Sequence, residues 1–404
     1  MSNIILSNFP VGPKFNGGAM TTWGIINFFK KKKNIFILIL LCDLDQKENP
    51  EYVECLRVLK ENEINYKIIF YKKNKKSFLL KLKNFFLSLI FSTPELFFYD
   101  QVKIKKDLIL ELKKINVDKI FCYHFDCLSI CYDLGYETIA CLGDLIHEPR
   151  IYRRKIINKN YLQNIIFNFV DEYLSLKVML NMIKASTKAG FYANHYFKKI
   201  KKFSSKVEYF RTSIVRPIVK KSYENENFKI KKFLILGDLH GTVSISSFLF
   251  LEDFLNKNYN YLKINNINFN IVGGSALNEV NKNLKKFDII NFHGRTDFID
   301  DHIQFNQFLL VPNTIDLGIR VRIITALSFG FVVISNIVNQ KGIPELKHNE
   351  NCLLFKNNLQ LIDIIDSINN KSINILKIQN SALETFNKNF YYPEAAKDLF
   401  KKTD

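Results

Sequence analysis

Short apolar runs alternate along the first half of the chain with segments whose apolar positions recur every three or four residues. The first pattern predicts buried strands and the second predicts amphipathic helices, such as Thr21–Phe29 after a Gly17-Gly18 turn, and Pro50–Asn62. Apolar strands separated by such helices indicate a mainly parallel sheet covered on both faces. The predicted strands are Asn3–Ser7, Ile35–Leu41, Tyr66–Phe70, Lys119–Tyr123, Glu137–Leu142 and Ala189–Ala193.

The alternation breaks at Arg216–Lys232, a polar and charged stretch with one proline, and this stretch is the predicted linker. A final helix is predicted at Glu394–Lys402. The sequence therefore predicts an α/β chain with two Rossmann-like, doubly wound domains facing a cleft, at residues 1–216 and 230–385, with residues 386–404 packing back on the first domain. The predicted strands of the second half are Phe233–Leu236, Phe269–Val272, Ile289–Phe292, Phe308–Val311 and Phe331–Ile334.

Composition is that of a globular protein. The 404 residues are 47% hydrophobic and 14% aromatic, and they carry a net charge of +19. The charge comes mostly from lysine in a chain equally rich in Asn, Ile and Phe, residues that share A/T-rich codons, so genome composition suffices to explain it. In the absence of an arginine-rich tract or a nucleic-acid motif, we expect no nucleic-acid partner. Attraction to anionic lipid or to a phosphorylated substrate stays open.

Targeting and redox signals favour a cytoplasmic protein. Met1–Phe9 lacks the basic start of a signal peptide, and the apolar run Ile35–Cys42 is far shorter than the roughly 20 residues of a membrane-spanning helix. Seven cysteines in such a chain are expected to be reduced thiols. The amphipathic segment Phe78–Phe91 fits peripheral contact with the inner membrane face, or packing on the sheet.

Three cysteines lie close to His124 in the sequence, and such a group of side chains can bind a metal ion. Their spacing matches no zinc-binding pattern, and the first of them falls in a predicted buried strand. We therefore predict no metal there. The cysteines are Cys122, Cys127 and Cys131.

The strongest local pattern is Phe308–Ser335. An apolar strand is followed by a loop with Asp316 and Gly318, and then by a helix that opens with Arg320 and Arg322. Free backbone N–H groups and the dipole of a helix N-terminus attract anions, and each guanidinium adds a planar fork of donors. The pattern predicts a phosphate-binding site.

With these residues the C-terminal half resembles the GT-B glycosyltransferases of family 4, which act on nucleotide sugars. The order and spacing of the motifs agree from about residue 230 to residue 400, and the likeness is looser in the first half. The matching segments are Phe233–Gly237, Ile271-Val272-Gly273-Gly274, Asn291–Gly294 before Asp297, Gly318-Ile319-Arg320-Val321-Arg322, Ala326–Gly330 and Val332-Val333-Ile334.

The resemblance implies transfer of a sugar from a nucleotide-sugar donor to a glycan or lipid-linked acceptor in bacterial surface polysaccharide or lipopolysaccharide synthesis. It also implies retention of the anomeric configuration, no metal, no cofactor and closure of the two domains. Arg320, Arg322 and Asp144 would be catalytic, with the arginines neutralising the leaving diphosphate. The implied donor-binding residues are Gly237, His240, Gly273, Gly294, Asp297, Asp316, Gly318 and Thr325, and the implied acceptor-side residues are Gly17, Gly18 and His124.

Two alternatives remain. The family usually has a glutamate for the ribose hydroxyls where this chain has Thr325, which is compatible with a non-catalytic nucleotide-binding protein. The run Phe233–Gly241 (FLILGDLHG) resembles the start of a metallophosphoesterase site, with Asp238 and His240 as ligands. The chain lacks the Gly-Asn-His motif that such enzymes need, so this alternative is the weaker one.

Overall fold

The structure, a computed structural model, divides into two compact units. The first comprises Met1–Val215 and Tyr392–Asp404, and the second comprises Arg216–Tyr391. The residues that the structure describes are 2–13, 16–72, 101–131, 133–157, 161–215, 229–237, 241–273, 279–294 and 308–400.

In the described part of the first unit, seven strands form one sheet in which all neighbours run parallel, in the order β3-β2-β1-β4-β5-β6-β7. The strands are β1 Ser2–Ser7, β2 Phe36–Asp43, β3 Tyr66–Tyr71, β4 Val117–Tyr123, β5 Glu137–Leu142, β6 Lys188–Phe191 and β7 Val207–Tyr209. The helices are α1 Gly17–Lys31, α2 Pro50–Glu61, α3 Gln101–Leu112, α4 His124–Cys131, α5 Glu148–Ile157, α6 Tyr161–Ala185 and α7 Asn194–Lys201, with a 3₁₀ turn at Leu44–Gln46.

The described part of the second unit repeats this plan with six parallel strands in the order β10-β9-β8-β11-β12-β13. The strands are β8 Lys232–Leu236, β9 Asn268–Val272, β10 Ile290–Gly294, β11 Phe308–Val311, β12 Val332–Asn336 and β13 Leu353–Phe355. The helices are α8 Thr242–Ile264, α9 Glu279–Leu284, α10 Val321–Ser328, α11 Asn358–Asn369 and α12 Ile375–Asn389, with a 3₁₀ helix at Ile337–Lys341.

The burial of the central strands agrees with these orders. Residues Ile4–Leu6 of β1 and Phe233–Leu236 of β8 are buried, as expected for central strands that are covered by helices on both faces. In each sheet the strand order reverses beside the first strand, between β1 and β4 and between β8 and β11. Ligands of such sheets bind beyond the carboxyl ends of the strands at this reversal. The predicted fold class, two Rossmann-like α/β domains, is confirmed.

The last described segment packs on the first unit. The Arg211 guanidinium makes a two-pronged ion pair with Asp398, with N–O distances of 2.8 and 2.9 Å. The ring of Phe400 stacks on Phe28 at 5.3 Å. The expected helix Glu394–Lys402 is wrong in detail, because one helical turn (α13, Tyr392–Ala395) passes into a 3₁₀ helix (Ala396–Phe400) that these contacts hold.

Other elements differ from the sequence expectation. Gly17 and Gly18 do not form a turn before a later helix; they are the first residues of α1, because Asn16 caps it by accepting the Ala19 N–H at 3.0 Å. Strands β7 and β13 were not predicted, since three apolar or mixed residues give no periodic signal. The segment Phe78–Phe91 and most of the predicted linker lie outside the described residues.

Candidate functional site

Three glycines predicted to bind the donor lie side by side at the carboxyl ends of β8, β9 and β10. The Gly237 N–H donates to the Val272 carbonyl at 3.1 Å, and the Gly273 N–H donates to the Gly294 carbonyl at 2.8 Å. The Gly237 carbonyl fills the space that a β-carbon at Gly273 would need. The sheet therefore ends in an edge of bare backbone beside the strand-order reversal, where a ligand can approach closely.

The side chain of Arg322 reaches this edge from the first turn of α10. A β-carbon at Gly237 would stand 3.3 Å from the Arg322 Cζ and 3.3 Å from the Ser244 Oγ, and the Gly237 φ of +147° favours glycine independently. Burial, and then the charge of Arg320, lower the pKa of Arg322 to about 9. No carboxylate of the described residues pairs with Arg322, so an incoming anion would be its compensating charge.

The loop from β11 to α10 holds the second arginine. Gly318 has a left-handed backbone, with a φ of +64°. Arg320 caps α10: its carbonyl accepts the Ile323 N–H at 2.8 Å, and its guanidinium donates to the Leu317 carbonyl. Asp316 pairs with Lys341 at 2.9 Å. The structure thus places Asp316, Gly318 and Arg320 on one loop that begins where β11 ends.

A buried amide network anchors this loop, and the sequence reasoning missed it. Asn313 and Asn339 exchange side-chain hydrogen bonds of 3.0 and 3.1 Å. Asn313 also donates to the Ile315 carbonyl at 2.9 Å, and Asn339 donates to the Ser335 Oγ at 2.9 Å. The sequence signal for this network was the two asparagines that follow the apolar strands β11 and β12 within three residues. The network ties the start of the arginine loop to the neighbouring strand end.

The first unit gathers its predicted residues at the ends of β1, β4 and β5. His124 has a left-handed backbone (φ +66°), which is uncommon for a residue with a side chain. A β-carbon at Gly143 would stand 2.7 Å from the His124 Cε1, and one at Gly18 would stand 3.2 Å from Phe9 and 3.4 Å from Tyr123. Because neither glycine has a side chain, the ring of His124 packs directly on the backbone of Gly143, and the rings of Phe9 and Tyr123 pack on that of Gly18.

These rings form a compact group. The centroid of His124 lies 4.7 Å from that of Tyr123 and 5.7 Å from that of Phe9. Burial lowers the pKa of His124 to about 4, so the imidazole is neutral at pH 7 and offers one donor and one acceptor. Asp144 follows Gly143 and acts electrostatically on the Tyr123 hydroxyl. Aromatic faces, a neutral imidazole and a carboxylate together suit the binding of hydroxyl-rich molecules.

The remaining predicted residues fall in three places. Thr325 lies on α10 three residues after Arg322, so both side chains share a face of that helix. Gly294 has a φ of +70°, and among the described residues no atom lies within 4 Å of the place where its β-carbon would stand. His240 and Asp297 lie outside the described residues, as does Asp238 of the alternative metal site.

The cysteines near His124 are buried free thiols. Burial raises the pKa of both Cys122 and Cys127 well above the ordinary value. Within the described residues, no group of three or more His, Cys, Asp or Glu side chains is arranged to hold a metal ion.

No protein-family profile and no curated protein sequence matches the chain. Several solved structures are similar to it over nearly their full length. A glycosyltransferase from Rickettsia africae has a TM-score of 0.65 at 14% identity, over 98% of this chain and 96% of that one. Anabaena HepE in complex with UDP has a TM-score of 0.68 at 11% identity, over 99% and 98%. The chain has the GT-B glycosyltransferase fold.

A third GT-B structure, the lipopolysaccharide outer core galactosyltransferase WaaB, has a TM-score of 0.60 at 12% identity, over 99% of each chain. HepE has also been solved with UDP-glucose. Identities this low establish the fold, while the activity has to be argued from this chain's own residues. Among the described helices of this GT-B chain, none is long and apolar enough to cross a membrane.

Proposed function

We propose that the chain is a glycosyltransferase that moves a sugar from a nucleotide-sugar donor to a glycan or lipid-linked acceptor. The observation that carries the proposal is Arg322, a partly buried guanidinium that lies against the bare backbone of Gly237 without a carboxylate partner among the described residues. A diphosphate is the natural counter-ion for such a group, and it is also the leaving group of this reaction. UDP and UDP-glucose are bound by HepE, a protein of the same fold.

The chemistry follows from the growth of negative charge on the diphosphate as the glycosidic bond breaks. Arg322, with Arg320 on the preceding loop, would stabilise that charge electrostatically, in the role that a metal ion fills in other transferases. We propose metal-independent transfer with retention of the anomeric configuration. In the first unit, Asp144, His124 and the aromatic group would bind the hydroxyls of the acceptor sugar. Surface polysaccharide or lipopolysaccharide synthesis is the proposed setting, and WaaB offers a precedent within the fold.

The test is incubation with UDP-, GDP- and ADP-sugars, with mono- and oligosaccharide and lipid-linked acceptors, while release of nucleoside diphosphate is measured with and without EDTA. We expect release with at least one donor, unchanged by EDTA, and an α-linked product from an α-linked donor by NMR. If donors bind without transfer or hydrolysis, the chain is a nucleotide-binding protein, which the substitution at Thr325 would explain. Strict Mn²⁺ dependence with hydrolysis of p-nitrophenyl phosphate would favour the phosphoesterase.

A further inference from the structure

A basic aromatic surface on the first unit contains none of the residues assigned to sugar transfer. Its apolar part consists of three exposed rings, Phe169 (71% exposed) and Tyr173 (55%) on α6 and Phe203 (57%) in the loop from α7 to β7. Phe169 and Tyr173 are four residues apart, so they lie on one face of α6. A contiguous group of exposed apolar side chains with a polar rim marks an interaction site.

Lysines surround Phe203. The segment Lys198–Lys206 (KKIKKFSSK) has five lysines, no acidic residue and Phe203 near its centre. Lys199 pairs with Glu172 of α6 at 3.0 Å. Among the described residues, no carboxylate pairs with Lys201 or Lys202, and both are exposed.

The loop and the helix are joined. Lys206 Nζ donates to the carbonyls of Lys184 (2.6 Å) and Ser186 (2.8 Å), which holds the loop with Phe203 at the C-terminal end of α6. Lys184 is itself exposed. At 1.5 Å per residue, Phe169 lies roughly 22 Å from Lys184 along the helix axis. The basic aromatic surface is therefore an elongated strip with rings at both ends and positive charge around Phe203.

We propose that this basic aromatic surface docks the protein on a membrane rich in anionic phospholipid. Aromatic rings insert at the level of the lipid head groups, and lysines beside them are attracted to the negative surface. Lys198, Lys201 and Lys202 are all exposed close to Phe203 in the chain, and this concentration of positive charge fits an anionic membrane better than a protein partner of ordinary composition. The inference is independent of the proposed transfer reaction, since vesicle binding is measured without donor or acceptor.

The test is co-sedimentation of the full chain with vesicles of phosphatidylcholine, with and without phosphatidylglycerol. We expect binding to the anionic vesicles that weakens with salt. Lys201→Glu with Lys202→Glu should lower the affinity on the order of thirtyfold or more, because each lysine near an anionic surface contributes appreciably. Phe203→Ser should lower it severalfold, and its exposure makes a folding defect unexpected.

Matched controls lie in the second unit. Lys356→Glu with Lys377→Glu changes the net charge equally, and Leu359→Ser removes a side chain that is 75% exposed. We expect both controls to bind like the unaltered protein. Failure of the unaltered protein to bind anionic vesicles, or an equal loss in the controls, would overturn the proposal. So would dissociation of a dimer by the Phe203 substitution in lipid-free solution, because the surface would then be a protein interface.

Discussion

The guanidinium of Arg322 lies where a β-carbon on residue 237 would stand. Gly237 and Arg322 are distant in sequence, and they meet because β8 and β11, which precede them, are neighbours in the sheet. A glycine is thus required by the arginine as well as by its own backbone conformation. This pairing places a positive charge at the strand-order reversal.

Gly237→Ala should abolish donor binding and destabilise the protein, because the new methyl group displaces Arg322 and strains a φ of +147°. The matched control is Gly135→Ala, at a φ of +77° with nothing within 4 Å, which isolates backbone strain of about 1 kcal/mol. Calorimetric titration with UDP distinguishes the two variants. An equal effect of the two substitutions on the affinity for UDP would contradict a role of the Gly237–Arg322 contact in donor binding.

Arg322→Ala should reduce turnover on the order of 100-fold or more, since it removes a charge that stabilises the leaving diphosphate. Arg322→Lys should retain part of the activity, because it keeps the charge and loses the two-pronged geometry. Steady-state kinetics with the donor found by screening provide the measurement. Transfer at the unaltered rate by the alanine variant would refute the assignment.

Asn339→Ala should lower the free energy of unfolding by about 1–3 kcal/mol, because it removes the hydrogen-bond donor to the buried Oδ1 of Asn313. The double variant with Asn313→Ala should lose less than the sum of the two single losses, since each single change already breaks the pair. Urea denaturation of the four proteins completes the cycle. Strictly additive losses would mean that the amide pair is not coupled.

Thr325→Glu should tighten nucleotide binding about fivefold, because a carboxylate accepts hydrogen bonds from ribose hydroxyls more strongly than a threonine does. Thr325→Gln has a similar length without the charge and serves as the control. Titration with UDP and with its 2′-deoxy analogue gives the comparison. An equal gain for both nucleotides would show that the new carboxylate does not contact the 2′-hydroxyl.

Stability should fall between pH 6.5 and pH 4 because of buried His147. Neither ring nitrogen has a hydrogen-bond partner among the described residues, and burial lowers the pKa of His147 to about 4. In the unfolded chain this histidine has an ordinary pKa of about 6.5, so the unfolded state takes up the proton first as the pH drops. The free energy of unfolding therefore falls by a few kcal/mol between pH 6.5 and pH 4. Thermal unfolding of His147→Leu should show a shallower pH dependence. Parallel curves for both proteins would rule out His147 as a cause.

The sequence by itself determined the two-domain α/β fold. Continuous apolar strands between amphipathic helices are buried in a parallel sheet that has both faces covered. This pattern is local, because it depends only on residues that are close together in the sequence. The sequence also predicted the strand, the loop and the helix that begins with the arginines at Phe308–Ser335, because the spacing of residues within one short segment can be read directly from the chain.

Only the tertiary structure decided which of these residues meet. The contact of Arg322 with Gly237, the amide pair of Asn313 and Asn339, and the packing of His124 on Gly143 all join different strand ends. Such contacts depend on the order of strands in the sheet, which residue periodicity does not encode. The left-handed backbone of His124 is likewise held by its surroundings, because a positive φ is uncommon for a residue that has a side chain.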